Sequence, residues 1–164
     1  MYRIGHSHDT HRLVKGRALY LGGIKVVYEY GLLGHSDADV VLHVVAESII
    51  GALGLGDLGM LFPDTDPEYK DAASSYFVTK VVNLMIKKGY SVNNIDITIY
   101  LELPNLKEYK SDIKQNIAKL LRIDEKFVNV KATRGEGLGF IGRGEGISAE
   151  AVVLLKSKPR LEKL

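Results

Sequence analysis

The sequence predicts a two-layer α/β (α+β) sandwich: one mixed sheet, helices on one of its faces, and a small β-hairpin beside it. Three observations predict this. Segments that alternate apolar and polar residues interleave with segments whose apolar residues recur every three to four positions. A glycine pair, Gly22-Gly23, separates two short apolar runs, as in a hairpin. No low-complexity linker or internal repeat divides the 164 residues, so one domain over 1–164 is expected, large enough to bury its own core.

The elements follow in order. Tyr2 to Asp9 reads as a strand, and ALYL and KVVY as the arms of the hairpin. A helix begins near Asp37: Asp37 and Asp39 suit its positive end, and Val40, Val41, Val44, Val45 and Ile49 form an apolar stripe. Residues 54–71, rich in carboxylates, glycines and prolines, read as loop. A second helix spans Ala73 to Lys88, with Gly89 placed to end it. NIDITIYLEL is a β-branched, alternating strand that stops before Pro104. A third helix spans Lys107 to Arg122, FVNVKAT is another strand, and ISAEAVVLLK is the last, after the glycine-rich RGEGLGFIGRGEG.

Composition narrows the function. The chain carries 22 basic and 20 acidic residues, a formal charge of +2, and no basic stripe, which argues against nucleic-acid binding. Only the tail KSKPRLEKL is locally basic, as a solvated end would be. Cysteine is absent, which removes disulfides and thiolate metal sites. No apolar run approaches the roughly 18 residues of a membrane span, and no signal peptide is recognised. A soluble, cytoplasmic protein with no membrane partner is expected.

The stretch GHSHDTHRL concentrates histidines at positions 6, 8 and 11 beside Asp9. On a strand, Asp9 and His11 project to one face and His8 to the other. A carboxylate and an imidazole on one face make half of a zinc site. His43, one helical turn after Asp39, is the best third ligand, and Asp39 is a candidate to orient an imidazole. Three protein ligands leave a coordination position open, as catalytic zinc sites do.

Five segments occur in order: GHSHDTHRL, GLLGHSDADVVLH, GDLGMLFPDTDP, VNVKAT and GLGFIGRGEGI. Together, from Arg3 to about Leu155, they resemble the 2-C-methyl-D-erythritol 2,4-cyclodiphosphate synthase family of the non-mevalonate isoprenoid pathway. The resemblance implies a metal-dependent phosphorus–oxygen lyase. Its substrate, 4-diphosphocytidyl-2-C-methyl-D-erythritol 2-phosphate, cyclises with loss of CMP. It also implies one zinc per chain on Asp9, His11 and His43, and Mg²⁺ or Mn²⁺ held by Glu136 together with substrate. His35 and Ser36 match phosphate-contacting positions before a helix N-terminus, a natural anion site. Asp57 and Gly59 match ribose-binding positions, and Phe62, Pro63, Asp64, Thr65 and Asp66 the segment lining the methylerythritol. Leu101, Pro104 and Lys107 fall in the cytosine-binding stretch LELPNLK, and Thr133 matches a phosphate contact.

The family is trimeric, with active sites between subunits. Phe140 and Arg143 match positions at its axial cavity, where an isoprenoid diphosphate would bind, with Glu145 as the partner of Arg143. Several residues depart from the family pattern: Ser7 and His8 before the first ligand, Ala38 for a glycine, Asn105 for a lysine, and Arg134-Gly135 after Thr133. Arg134 stands where a transition-state stabiliser is expected, and a guanidinium could serve that role. Its competing partner is Glu136, two residues on in an extended segment. Two other readings compete with a synthase: a zinc phosphodiesterase using water, and a catalytically silent trimer that binds isoprenoid diphosphates.

Overall fold

The computed structural model describes residues 1–63, 65–69 and 72–158; the basic tail beyond Lys158 and Asp64 lie outside them. Five strands form the main sheet in the order β4-β1-β7-β5-β6. They are β1 (Tyr2–Lys15), β4 (Tyr30–Leu32), β5 (Tyr90–Tyr100), β6 (Val128–Thr133) and β7 (Gly146–Ser157). β7 runs antiparallel to both β1 and β5, while β6 lies parallel to β5. The predicted hairpin is a separate two-stranded sheet, β2 (Leu19–Leu21) and β3 (Ile24–Val26). Gly22 and Gly23 have φ of +63° and +79°, the positive pair that a type I′ turn requires.

Helices cover one face of the main sheet. α1 (Val40–Leu53) packs on β1 and β7, α3 (Ser74–Lys87) beside α1, and α4 (Lys110–Leu121) against β6. α1 is buried on nearly all sides because the sheet, α3 and the hairpin surround it. It approaches β1 so closely that a Cβ on Gly5 would overlap the Ser48 carbonyl at 1.9 Å. α4 is amphipathic in the ordinary way, burying Ile113, Ile117, Ala118 and Leu121. The opposite sheet face lies away from α1, α3 and α4. Its outward side chains include Ile4 and Val152, which are 72% and 41% exposed. No helix among the described residues is long and apolar enough to cross a membrane.

Several predicted boundaries shift. β1 continues six residues past Asp9 to Lys15, because its far end gains β4 as a second partner. β4 has only three residues, too few for a visible alternation. The 54–71 stretch holds a short helix, α2 (Leu58–Leu61), and a 3₁₀ turn over Pro67–Tyr69. α1 starts at Val40, with Asp39 as its N-cap. α4 starts three residues later than predicted, since Asn105 accepts from the Lys107 amide and holds a turn there.

Asp39 does more than cap α1. Fully buried, its carboxylate accepts backbone N–H bonds from Gly22, Gly23, Val41 and Leu42, at 2.6 to 3.1 Å. It clamps the hairpin turn to the helix start and makes no contact with an imidazole, which corrects the orienting role expected from sequence. Burial pushes its pKa up, against four backbone donors that favour the charged form.

Ala38 lies in the left-handed region at φ 55°, which explains why glycine suits this position. Its methyl group is nevertheless fully buried. Strain relief of about 1 kcal/mol on substitution with glycine opposes about 0.8 kcal/mol of lost methyl burial and a similar entropic cost. Ala38→Gly is therefore expected to change stability by less than about 1 kcal/mol, read from a denaturant melt. A larger loss would show that the methyl packing dominates.

Candidate active site

The alternation of β1 sends Asp9 and His11 toward the helices, where α1 presents His43. His11 Nε2 lies 3.0 Å from Asp9 Oδ2, and His43 Nδ1 lies 3.2 Å from the same oxygen. The two ring nitrogens are 3.2 Å apart. These three residues are the one His/Asp/Glu group among the described residues able to hold a metal. His8, exposed on the opposite sheet face, is not part of it.

Hydrogen-bond chemistry shows that the trio fits a cation. The Leu33 carbonyl, 2.8 Å from His11 Nδ1, can only accept, so Nδ1 carries the proton and Nε2 offers a lone pair inward. His43 Nε2 lies 3.0 Å from Ser74 Oγ, which leaves Nδ1 facing Asp9 and His11. Three acceptor atoms then converge on one point. Four-coordinate metal bonds of 2.0 to 2.1 Å would put neighbouring ligand atoms roughly 3.3 Å apart, close to the spacing seen. Burial pushes the Asp9 pKa up, but the two imidazoles beside it hold it well below the usual carboxylate range. Burial lowers that of His11, yet Asp9 and the Leu33 carbonyl leave it raised above 6.5.

The trio opens on a cavity of about 670 Å³. His35 and Ser36 line it, from the turn before α1. Arg17 braces that turn, donating to the carbonyls of Gly34 (3.2 Å) and Ser36 (2.9 Å). Gly59, Phe62, Thr65 and Asp66 line the opposite rim. Phe62, Tyr69 and Phe77 pack together there with ring centroids 5.1 to 5.7 Å apart, giving the cavity an apolar wall. Asp57 caps α2 through the Met60 amide at 2.8 Å. Glu47 joins three elements, accepting from Ser7 Oγ at 2.7 Å and from the Leu58 amide at 3.2 Å. That bond accounts for the serine at position 7. Pro63 does not line the cavity, and Asp64 lies outside the described residues.

A second cavity, about 270 Å³, sits at the ends of β5 and β6, lined by Leu101, Pro104, Lys107, Thr133 and Arg134. The two cavities share no lining residue. Arg134 does not pair with Glu136. Its Nη2 donates to Glu102 Oε1 at 2.8 Å, while the Gly135 amide donates to Glu102 Oε2 at 3.0 Å. β6 ends at Thr133 and Glu136 is left-handed at φ 53°, so the shared face expected of an extended segment does not exist. Strain of this kind at a non-glycine residue is often kept for function. A Cβ on Gly135 would come within 2.5 Å of the Gly142 backbone nitrogen, so this glycine cannot be enlarged cheaply.

Glu136, Phe140 and Arg143 line neither cavity. Phe140 belongs to α5 (Gly139–Gly142), and Arg143 binds Glu145 of its own chain through Nε at 2.7 Å. Arg17, Glu47 and Ser74 escaped the sequence reading, and Glu102 entered it only as part of the stretch LELPNLK. Each acts on partners far along the chain, and nothing local marks them.

The profile of the YgbB family matches residues 2–156. The chain belongs to the YgbB family. This YgbB chain is 54% identical over 156 residues to the Pelobacter propionicus protein named 2-C-methyl-D-erythritol 2,4-cyclodiphosphate synthase, covering 95% of this chain and 99% of that one. Among solved structures, the Plasmodium falciparum IspF–CDP complex is 35% identical at a TM-score of 0.85, over 96% of this YgbB chain and 97% of that chain. The bifunctional IspDF of Campylobacter jejuni is 40% identical at a TM-score of 0.92; 96% of this chain matches, spanning 42% of that protein.

Proposed function

We infer that the chain is an enzyme that converts 4-diphosphocytidyl-2-C-methyl-D-erythritol 2-phosphate to 2-C-methyl-D-erythritol 2,4-cyclodiphosphate and CMP. One observation carries the reading: similarity over nearly the whole chain to proteins named for that synthesis. A CDP complex of a relative supports a cytidine diphosphate substrate. In the reaction an oxygen of the 2-phosphate attacks the β-phosphorus, the bond from that phosphorus to the CMP oxygen breaks, and CMP carries away the electron pair. No protein nucleophile is needed. The protein positions two anionic groups in line and offsets their repulsion.

Asp9, His11 and His43 would hold one zinc ion, which supplies Lewis acidity toward the β-phosphate. Glu136 would share Mg²⁺ or Mn²⁺ with phosphate oxygens, the usual arrangement for a hard cation. His35 and Ser36, on the turn braced by Arg17, bind phosphate oxygens. Asp57 and Gly59 take the ribose, and Phe62 to Asp66 take the methylerythritol. The aromatic wall suits its methyl group. Leu101, Pro104, Lys107 and Thr133 hold the cytidine end in the second cavity, with Arg134 beside the phosphates.

The two cavities share no lining residue, and a cytoplasmic homotrimer would let one from each of two copies form a complete site. The sheet face turned away from α1, α3 and α4, with Ile4 and Val152 exposed, supports self-association there. Arg143 would have to exchange Glu145 for an isoprenoid diphosphate to bind one on the axis. Sedimentation is expected to give about three times the 18.1 kDa of one chain. Phosphorus NMR with the substrate is expected to show a cyclic diphosphate appearing with CMP. An open bisphosphorylated polyol would instead indicate a hydrolase. No reaction, or a stable monomer, would overturn the reading.

A further inference from the structure

His43 rests on Ser74, and Ser74 rests on Asp37. We propose that Asp37 and Ser74 are positioning residues: a one-way hydrogen-bond relay that keeps the His43 proton on Nε2 and so sets the metal affinity of the trio. The proposal rests on reading Asp9, His11 and His43 as metal ligands.

The direction of the relay follows from counting protons. Asp37 accepts from the Asp39 amide at 3.1 Å, from the Ser74 amide at 3.0 Å, and from Ser74 Oγ in a short contact. A carboxylate has only lone pairs to offer, so the single hydroxyl proton of Ser74 is committed to Asp37. The Ser74 oxygen therefore meets His43 Nε2, 3.0 Å away, as an acceptor. Nε2 must carry the hydrogen, and Nδ1 is left bare toward Asp9 and His11. The opposite direction would press two lone pairs together at the Ser74–Asp37 contact. Ser74 is fully buried, so water offers no substitute partner. Ser36 Oγ, 3.4 Å from the same nitrogen, is too distant to compete well.

The relay also joins three elements. Asp37 lies in the turn before α1, and Ser74 is the first residue of α3, whose own N-cap, Ala73, has no side-chain bond to give. The carboxylate that sets the tautomer thus also satisfies an amide at the start of α3. Docking of α3 on α1 and completion of the metal site become one event. Partners of this kind behind a ligating histidine change metal affinity by roughly 10- to 100-fold when removed.

The test is a zinc titration of the metal-stripped full chain against a chromophoric chelator. Ser74→Ala is expected to weaken zinc binding by roughly 10- to 100-fold in protein whose circular dichroism shows it folded. Asp37→Asn should weaken it too, because the amide can donate to Ser74 and turn the hydroxyl proton onto His43 Nε2. Nδ1 would then be protonated on the metal side. Folded variants that bind zinc within about twofold of the unmodified chain overturn the proposal. Nitrogen-15 NMR of the zinc-loaded, unmodified protein needs no variant. It should show zinc on His43 Nδ1 and a slowly exchanging Nε2–H; zinc on Nε2, or a freely exchanging proton there, overturns the relay. An unmodified chain that takes up no zinc overturns the ligand reading, and the relay with it.

Discussion

His43→Ala is expected to strip the protein of most of its zinc and to lower turnover by roughly 100- to 10,000-fold, the several kcal/mol that Lewis-acid stabilisation supplies. Asp9, His11 and His43 converge within 3.2 Å of one another, and no other such group occurs among the described residues. With His43 gone, the two remaining ligands share one strand and leave half the coordination sphere to water. His8→Ala is the matched control. Although adjacent to Asp9 in sequence, His8 is exposed on the far side of the sheet and should keep its zinc. Equal zinc in the two variants by elemental analysis would overturn the ligand assignment. The same site should weaken in acid. The His11 pKa is raised by Asp9 and the Leu33 carbonyl, so a proton competes with metal for this nitrogen as pH falls. Affinity is therefore full at high pH and falls as pH drops through the His11 pKa.

Period-two alternation made Asp9 and His11 legible as a pair and His8 as the outsider. The apolar stripe of α1 put His43 on a helix, and the glycine pair announced the hairpin. What the sequence hid is long-range or very short. Ser74 meets Asp37 across 37 residues, and Glu102 meets Arg134 across 32. Serine and glutamate are too common for such pairings to be seen without the fold. Asp39 looked like a histidine partner because it stands one turn before His43, but the N-cap position turns its carboxylate onto backbone amides instead. The three-residue β4 and four-residue α2 are too brief for any period to register, although Asp57 supplied α2 with a recognisable cap.

Arg134→Ala is expected to lower kcat by roughly 10- to 1,000-fold, the range of a lost donor to developing charge or somewhat below it. The structure alters the case for this residue. An ion pair with Glu136 would oppose the second metal, but the guanidinium is bound to Glu102. That pair is a weak restraint, since the Arg134 side chain is 64% exposed and exposed ion pairs contribute about 1 kcal/mol or less. A substrate with several phosphate oxygens can draw the guanidinium away and engage its planar fork. Glu102 keeps a reason to stay in place, because its other oxygen holds the Gly135 amide. It therefore parks Arg134 at the rim of the second cavity without locking it. Glu102→Gln should leave kcat nearly unchanged, since the amide oxygen still accepts from Gly135. Arg134→Thr should restore part of what alanine loses, a hydroxyl being one modest donor in place of a fork. If alanine leaves the rate within about twofold and tightens Mg²⁺ or Mn²⁺ binding instead, the charge was opposing the second metal, and Arg134 has no part in stabilising the transition state.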